Sequence, residues 1–359
     1  MSDVARRTAT DSFWWPATVT PWVRGLAVAS LLTNSLLILT GGLVRLTGSG
    51  LGCPTWPQCV PGSYTPTYEQ AEGFHKYIEF GNRTLTGVLG VVALLAVVAA
   101  YRATDRRRHV APAAWAVLVG VVVQAVFGGL TVLFGLHPAT VATHFLVSAV
   151  LVAVSTYLWR RATEPAGELA PLVPPLVRRA AALACAVGAL VLVLGTVVTG
   201  SGPHSGDADT PARTGFDPRT ISWLHADAVM LFVGICVAVW LGAKLTERAA
   251  GPARAWWVVL WVTLAQGLVG YVQYLTKLPE VFVLAHMLGA SLLVVAALGA
   301  ATVAPSAAAA TVDDGLELTL VSTTDTHGHV YNWDYFQDAE FSPDTTGRNS
   351  APLGLTRAA

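Results

Sequence analysis

The strongest constraint in this sequence is a series of eight apolar segments, each roughly 20 residues long. A helix of that length spans the hydrocarbon core of a bilayer. Of the 359 residues, 53% are hydrophobic and 12% are charged, which is too little charge to cover a soluble protein of this size. The segments are 23–44, 77–101, 113–134, 139–160, 179–200, 221–243, 256–275 and 281–303. The sequence therefore predicts an all-α membrane protein with eight transmembrane helices.

The positive charges predict the orientation of these helices. Lys and Arg are enriched in alternate connections, and the positive-inside rule places those connections in the cytoplasm. The enriched segments contain Arg6, Arg7 and Arg24; Arg102 and Arg106–Arg108; Arg160, Arg161, Arg178 and Arg179; and Lys244, Arg248 and Arg254. Both termini are therefore predicted to be cytoplasmic, and residues 1–22 form a tail too polar for a cleavable signal peptide. The expected surroundings are membrane lipid, and no basic, aromatic-rich patch supports nucleic-acid binding.

The helices fall into two similar halves. The first helix ends in LTGGLVRLTGSGLG and the fifth in LGTVVTGSGPHSG, so the Thr-Gly-Ser-Gly motif at 47–50 recurs at 199–202. We predict two pseudo-symmetric four-helix bundles, 23–160 and 179–303, joined by a cytoplasmic linker at 161–178. Because each unit has an even number of helices, both insert the same way up, and the repeat is parallel.

Histidines form a second repeated feature. Gln124 precedes His144 by 20 residues, and Gln266 precedes His286 by the same distance. An imidazole within a membrane helix is costly and usually has a partner. His225 lies near the start of the sixth helix, at a depth similar to that of His286. Two neutral imidazoles facing each other across a bundle can ligate a porphyrin iron from both sides, so we predict a haem there. An interfacial histidine bonded to water is the simpler alternative.

The second helix differs from the sixth at the corresponding place. Aligned to His225, the first unit has Asn82, and His75 lies two turns earlier on the same face. Glu79 stands between them. A carboxylate at the edge of a membrane helix is functional by default, whereas Arg83, four residues later, offers an ordinary ion pair. The residues alone leave both interpretations of Glu79 open.

Six motifs together carry a resemblance to a known family. They are TGGLVRLTGSGLGCPTWPQC, IEFGNR, the THF around His144, TGSGPHSGD, the LH of His225 and the AH of His286. Over residues 20–303 the chain resembles the haem A synthases, membrane enzymes that convert haem O to haem A. Their fold, a pseudo-symmetric pair of four-helix bundles, agrees with the architecture predicted above.

The resemblance implies specific roles for these residues. His225 and His286 are expected to hold a haem b cofactor in the C-terminal bundle. The N-terminal bundle is expected to take the substrate haem O, with His144 on one side and Glu79 as a catalytic residue nearby. The implied reaction oxidises a porphyrin methyl group to a formyl group for terminal oxidases. The resemblance also implies a location in the plasma membrane of a bacterium. It names haem O synthase, the protohaem farnesyltransferase, as a candidate partner.

The chain departs from the common family pattern at Asn82, where many members carry a histidine. Two alternatives follow. His75 takes over as ligand, or His144 alone binds the iron and leaves its other face open. The outer rim of the first unit carries three cations that are candidate partners of haem propionates: Arg45, Lys76 and Arg83. Interfacial snorkelling of their side chains explains these cations equally well.

The family resemblance also favours a disulfide between Cys53 and Cys59 in the first outer loop, where an oxidising environment is available. Cys185 and Cys236 lie within helices, where packing is the expected role. His204 belongs to a family-like motif, and its residues indicate no mechanism.

The tail at 304–359 is a separate feature. Its LELTLVSTTDTHGH segment resembles the start of a calcineurin-like metallophosphoesterase of the 5'-nucleotidase type, in which Asp325 and His327 would be metal ligands. Such a site needs further ligands from a much larger domain. We therefore expect a disordered tail without phosphatase activity.

Two other functional classes remain as alternatives to an oxidoreductase that modifies haem. A membrane b-type cytochrome would use His225 and His286 to carry electrons, and it would leave Glu79 without a role. A transporter built on a parallel repeat would need broken helices with polar residues at the membrane midplane. Here the polar residues cluster at the outer edge instead.

Overall fold

Eight long helices form the body of the protein. The computed structural model describes residues 21–102, 107–164, 172–203, 206, 212–246, 249–303, 333–334 and 339–340. Within these ranges the helices are α1 Pro21–Leu46, α2 His75–Arg102, α3 Arg107–Leu133, α4 Pro138–Thr163, α5 Pro175–Ser201, α6 Pro218–Lys244, α7 Ala250–Leu275 and α8 Glu280–Ala301. All eight are long and apolar enough to cross a membrane. The predicted all-α membrane fold is confirmed.

Several helices begin before the apolar segments that predicted them. α5 begins at Pro175 and α7 at Ala250, while α3 begins at Arg107 and includes Pro112. An apolar run marks the part of a helix in hydrocarbon, and the helix continues into the polar head-group region. Pro112 is the sixth residue of α3, so it removes one backbone hydrogen-bond donor near the start of that helix.

The helices pack as two four-helix bundles, α1–α4 and α5–α8, and in each bundle the four helices are arranged in a ring. Each helix of the first ring contacts its neighbours in the chain, and α1 closes the ring against α4. The second ring closes in the same way through α5 and α8. Among the described residues, the diagonal helices α2 and α4 do not contact each other, and neither do α6 and α8. The histidine-bearing helices therefore lie across an interior space.

The two rings meet along a seam formed by α1 and α4 on one side and α5 and α8 on the other. Leu31, Ile38 and Val152 are buried there, and Met287 of α8 packs against them. Gly42 permits this approach, because a methyl group at that position would lie 2.7 Å from Sδ of Met287.

In each ring the main cluster of buried apolar side chains lies toward one end of the helices. In the first ring the buried cluster runs from Leu89 onward on α2 and from Leu151 onward on α4. In the second it runs from Ala228 onward on α6 and from Leu293 onward on α8. None of the described histidines belongs to either cluster, although Ala228 of the second cluster lies one turn after His225 on α6. His144 and His286 therefore lie beyond the end of the main apolar core of their bundle.

Short connections of matching shape fix the register of the paired helices. Gly135 and Leu136 join α3 to α4 with φ of 57° and 55°, and Lys277 and Leu278 join α7 to α8 with φ of 65° and 62°. Left-handed backbone is uncommon for residues other than glycine. Two consecutive residues of this kind, at equivalent places in the two halves, extend the repeat seen in the sequence to the backbone.

The tail forms a separate unit, Ala309–Ala359. Its described residues are two antiparallel two-residue strands, β1 Trp333–Asp334 and β2 Ala339–Glu340. These four residues pair where the sequence predicted disorder. The other residues of 304–359, including Asp325 and His327, lie outside the described part of the chain.

Candidate functional site

His225 and His286 project from the two diagonal helices of the second bundle. Each lies about two turns into its helix, which places it roughly 10 Å below the helix start. Because α6 and α8 lie on a diagonal of the bundle and do not touch, the two imidazoles are carried on opposite sides of the bundle interior.

A glycine on the preceding helix supports each of these rings. A methyl group at Gly195 would lie 3.3 Å from Cε1 of His225, and one at Gly270 would lie 3.1 Å from Cε1 of His286. Both distances are tighter than ordinary carbon contacts. Glycine at these positions therefore lets each imidazole lie directly against a helix backbone, which fixes the direction in which its other edge points.

The ring nitrogens are consistent with a metal ligand. Nδ1 of His225 and Nδ1 of His286 are buried without a hydrogen-bond partner in the present geometry. A main-chain carbonyl lies beside each ring, that of Val191 for His225 and that of Gln266 for His286. A histidine that ligates a metal commonly donates its other N–H to such a carbonyl. A small adjustment of either ring would complete that arrangement and leave Nε2 for an iron.

The first bundle repeats half of this arrangement. A methyl group at Gly128 would lie 3.2 Å from Cε1 of His144, and Nδ1 of His144 is also buried without a partner. The equivalent of His225 is Asn82, which accepts a 2.7 Å hydrogen bond from the hydroxyl of Thr40 on α1. The first bundle thus brings one imidazole and one amide to the places where the second has two imidazoles.

The glutamines that precede His144 and His286 pair helices. The side-chain amide of Gln124 donates to the main-chain oxygen of His144 at 3.0 Å, and that of Gln266 donates to the main-chain oxygen of His286 at 2.6 Å. Gln124 also contacts Ser148 Oγ, and its Nε2 lies 3.3 Å from Nε2 of His144. The spacing of 20 residues therefore reflects a hydrogen bond between antiparallel helices that holds each histidine in register.

Glu79 is buried and paired. Its Oε1 accepts hydrogen bonds from Nη2 and Nε of Arg83 at 2.5 and 3.0 Å, and its Oε2 accepts one from the backbone N–H of Cys53 at 2.6 Å. Arg83 also donates to the carbonyls of Cys53 and Thr55 at 2.7 and 2.9 Å. The ion pair expected from the spacing of four is therefore present, and it also anchors the first outer loop.

That loop is closed by a disulfide between Cys53 and Cys59, both buried, with an S–S distance of 2.00 Å. The disulfide implied by the family resemblance is confirmed. Trp56, within the closed loop, packs on Gly129 of α3, where a methyl group would lie 2.6 Å from Cε2 of the indole. Gly129 is adjacent to Gly128, which supports His144, so the loop links Glu79 to the backbone beneath His144.

Cys185 and Cys236 are free thiols, and the buried Cys236 packs within the core of the second bundle.

The remaining predicted site residues that the structure describes lie at the same end of the helices as the first outer loop and have protein partners. Nδ1 of His75 is 2.8 Å from Oγ of Ser49, and the His75 side chain is exposed. Arg45 donates to the carbonyl of Thr199 on α5 at 2.9 Å, which ties the two bundles together. Lys76 donates to two carbonyls of the first outer loop, at 2.7 and 3.1 Å. His204 lies outside the described residues.

Three contacts of the site were not anticipated from the sequence. Gly195 beneath His225 has no separate motif, although Gly128 and Gly270 recur at one offset and indicate the same role. Trp56 on Gly129 joins residues that lie far apart in the chain. The Thr40–Asn82 bond becomes evident only once α1 and α2 are known to be neighbours.

These features define a class: an eight-helix membrane protein of two parallel four-helix bundles, with inward histidines at one end of each. Two imidazoles on diagonal helices, each lying against a glycine of the preceding helix, fit a haem iron that is ligated from both sides. A family model described as cytochrome oxidase assembly protein, COX15-CtaA, matches residues 24–298. The chain belongs to this family.

Several relatives carry a more specific name. The chain is 31% identical over 147 residues to a heme A synthase of Alkalihalophilus pseudofirmus, a match covering 40% of this chain and 48% of that protein. It is 31% identical over 145 residues to a heme A synthase of Halalkalibacterium halodurans, covering 39% and 47%. A heme A synthase of Lysinibacillus sphaericus is 31% identical over 137 residues, covering 37% and 42%. The chain therefore matches about half the length of these curated relatives.

Proposed function

We propose that this protein is a haem A synthase, an oxidoreductase that converts a methyl group of haem O to the formyl group of haem A for terminal oxidase assembly. The observation that carries the proposal is a repeated contact between a histidine side chain and a glycine of the preceding helix. His225 and His286 make this contact in one bundle, and His144 makes it in the other. The family membership and the names of the relatives support the same conclusion.

The two bundles have different roles in this proposal. The second bundle, 179–303, holds a haem b between His225 and His286, and a bound haem supplies one-electron transfer. The first bundle, 23–160, receives haem O, whose iron is bound by His144. The position of His144 and His286 beyond the main apolar clusters supports both assignments, because a flat porphyrin needs space that tightly packed side chains would fill.

Glu79 is the residue we assign to proton handling. Converting a methyl to a formyl group removes hydrogen, so protons must leave the pocket. A carboxylate has about four acceptor positions, and the three hydrogen bonds from Arg83 and Cys53 leave capacity for one more. Arg83 balances the charge of Glu79 and holds it at the side of the loop that faces His144.

Arg45 and Arg83 have smaller roles in this proposal. Arg83 is committed to Glu79 and to loop carbonyls, so its effect on substrate is to position Glu79. Arg45 lies at the seam and can still offer N–H groups besides the one that Thr199 accepts, which suits a haem propionate. We further propose a bacterial plasma-membrane location with both termini in the cytoplasm, and haem O synthase as the functional partner that supplies substrate.

The decisive experiment uses a host that makes haem O but lacks haem A. We expect haem A to appear in extracted haems, separated by chromatography, when this chain is expressed. The competing function is a b-type cytochrome that carries electrons through His225 and His286. That class would leave haem O unchanged while the membranes gained a b-type spectrum.

A further inference from the structure

The first bundle differs from the second at a single position of the repeated histidine site, and that position determines how the iron of its haem can be bound. Asn82 and His225 are equivalent in sequence, each three residues after Glu79 and Ser222 respectively. They are also equivalent in contacts. Asn82 touches α1 through Thr40, and His225 touches α5 through Gly195, so each side chain lies against the preceding helix of its own bundle.

An asparagine amide cannot replace the missing imidazole. Haem iron is held in proteins by histidine, cysteine, methionine or tyrosine side chains. The amide of Asn82 is held by the 2.7 Å hydrogen bond to Thr40. The position in the first bundle that corresponds to His225 therefore offers a hydrogen-bonding group and no iron ligand.

His75 does not reach the level of that position. It is the first residue of α2 and lies seven residues before Asn82, which is roughly 10 Å along the helix axis. Its Nδ1 is bonded to Ser49 at 2.8 Å. The backbone at His75 is packed against Gly52, where a methyl group would lie 2.6 Å from the carbonyl carbon of His75. The start of α2 is therefore fixed, and the His75 ring stays at the outer rim.

We propose that the haem in the first bundle is bound through His144 alone, with its opposite iron face open and the Asn82 amide above it. This inference rests on the proposed function, since it takes the first bundle to be a haem site. The second bundle, with His225 and His286, has both faces occupied. The two haems of one chain therefore differ in their capacity to bind a small external ligand.

Carbon monoxide titration of the purified, reduced full chain tests this difference. The chain is prepared from a host that accumulates haem O, so that both bundles are loaded. We expect about one carbon monoxide per chain, read from the change in the absorption spectrum, with the other haem unreactive. A chain whose two haems both stay low-spin and bind no carbon monoxide would overturn the proposal.

Variants at equivalent positions sharpen the test. Asn82→His supplies the second imidazole and is expected to lower carbon monoxide binding by roughly tenfold. Asn82→Ala keeps the face open and should bind as the unaltered chain does. His75→Ala should also leave binding unchanged, and an increase in binding in that variant would show that His75 is the sixth ligand. His225→Asn reproduces the first-bundle arrangement in the second bundle and should raise binding to about two per chain.

The readouts separate this inference from the proposed function. Formation of haem A without carbon monoxide binding would leave the enzyme assignment intact and remove the single-ligand assignment. Carbon monoxide binding at one of two haems, without any haem A, would support the single-ligand assignment and remove the enzyme assignment.

Discussion

The backbone N–H of Cys53 donates a 2.6 Å hydrogen bond to Oε2 of Glu79, which joins the disulfide loop directly to the buried carboxylate of α2. Arg83 completes the connection by donating to both Glu79 and the carbonyl of Cys53. One ion pair therefore serves two purposes. It neutralises a buried acid, and it fixes a covalently closed loop over the end of the first bundle.

The structural and functional roles of Glu79 can be separated by Glu79→Gln. Glutamine keeps the volume and can still accept from Cys53, but it leaves Arg83 without its counter-charge. Because Arg83 is partly exposed, we expect a loss of about 1–3 kcal/mol in unfolding free energy, together with loss of haem A formation. The measurements are thermal unfolding in detergent and chromatography of extracted haems.

Glu164→Gln is the matched control, because Arg161 in the last turn of α4 and Glu164, the residue after that helix, form a similar pair at 2.6 Å. It should cost comparable stability and leave haem A formation unchanged. Equal loss of haem A formation in both variants would show that the role of Glu79 is structural.

Haem content distinguishes the two bundles. We expect His286→Ala to lower bound haem b strongly, because it removes one of two axial imidazoles and leaves a cavity beside Gly270. His144→Ala should retain haem b and lose the haem of the first bundle. Pyridine haemochrome spectra of the purified variants provide the measurement. Haem b at the level of the unaltered chain in His286→Ala would contradict the ligand assignment.

The contact between Gly270 and His286 gives a sharper prediction, because a substitution of Gly270 changes no haem ligand. Gly270→Ala places a methyl group 3.1 Å from Cε1 of His286, so the ring must shift, and overpacking of this kind costs roughly 1–3 kcal/mol. We expect weaker retention of haem b and a shifted Soret band. Gly267→Ala, one turn earlier on α7 with nothing within 4 Å, should retain haem fully and be slightly more stable.

Asp217 caps the helix that carries His225, and its effect depends on pH. It accepts hydrogen bonds from the backbone N–H and the hydroxyl of Thr220 at 2.8 and 2.6 Å. These bonds hold the pKa of Asp217 below its ordinary value of 3.8. Since the folded pKa is depressed, the stabilisation is present above the unfolded value and is lost as pH falls through the folded one. Asp217→Asn keeps a capping oxygen at every pH. On acidification the unaltered chain should therefore lose stability relative to Asp217→Asn, and a difference that stays constant in pH-dependent unfolding curves would exclude this origin.

The tail is expected to be dispensable for haem chemistry. Removing residues 311–359 leaves all eight helices intact. We expect unchanged haem content and haem A formation in the shortened chain, compared with the full chain in the same host. An inactive shortened chain with normal haem content would assign a function to the tail.

The sequence predicted the helices well because each apolar run has the length that a bilayer requires. It also found the 20-residue spacing from Gln124 to His144 and its repeat in the second half, because a repeated offset does not depend on where the helix ends are assigned. It could not show that the glutamine bonds to a backbone carbonyl, because that atom belongs to every residue and leaves no trace in side-chain patterns. The contacts of Arg83 with Thr55 and Cys53 were likewise hidden, since they depend on the path of an irregular loop.

The hydrogen bond from Arg45 of α1 to the carbonyl of Thr199 on α5 has a consequence for kinetics. Electron tunnelling slows steeply as the gap between donor and acceptor widens. A seam held at one end by this bond, and filled with Leu31, Ile38 and Met287 along its length, would keep the two bundles at a nearly constant separation. In an enzyme of the proposed kind, the rate of transfer between the two porphyrins would then be set at folding rather than by thermal hinging of the halves.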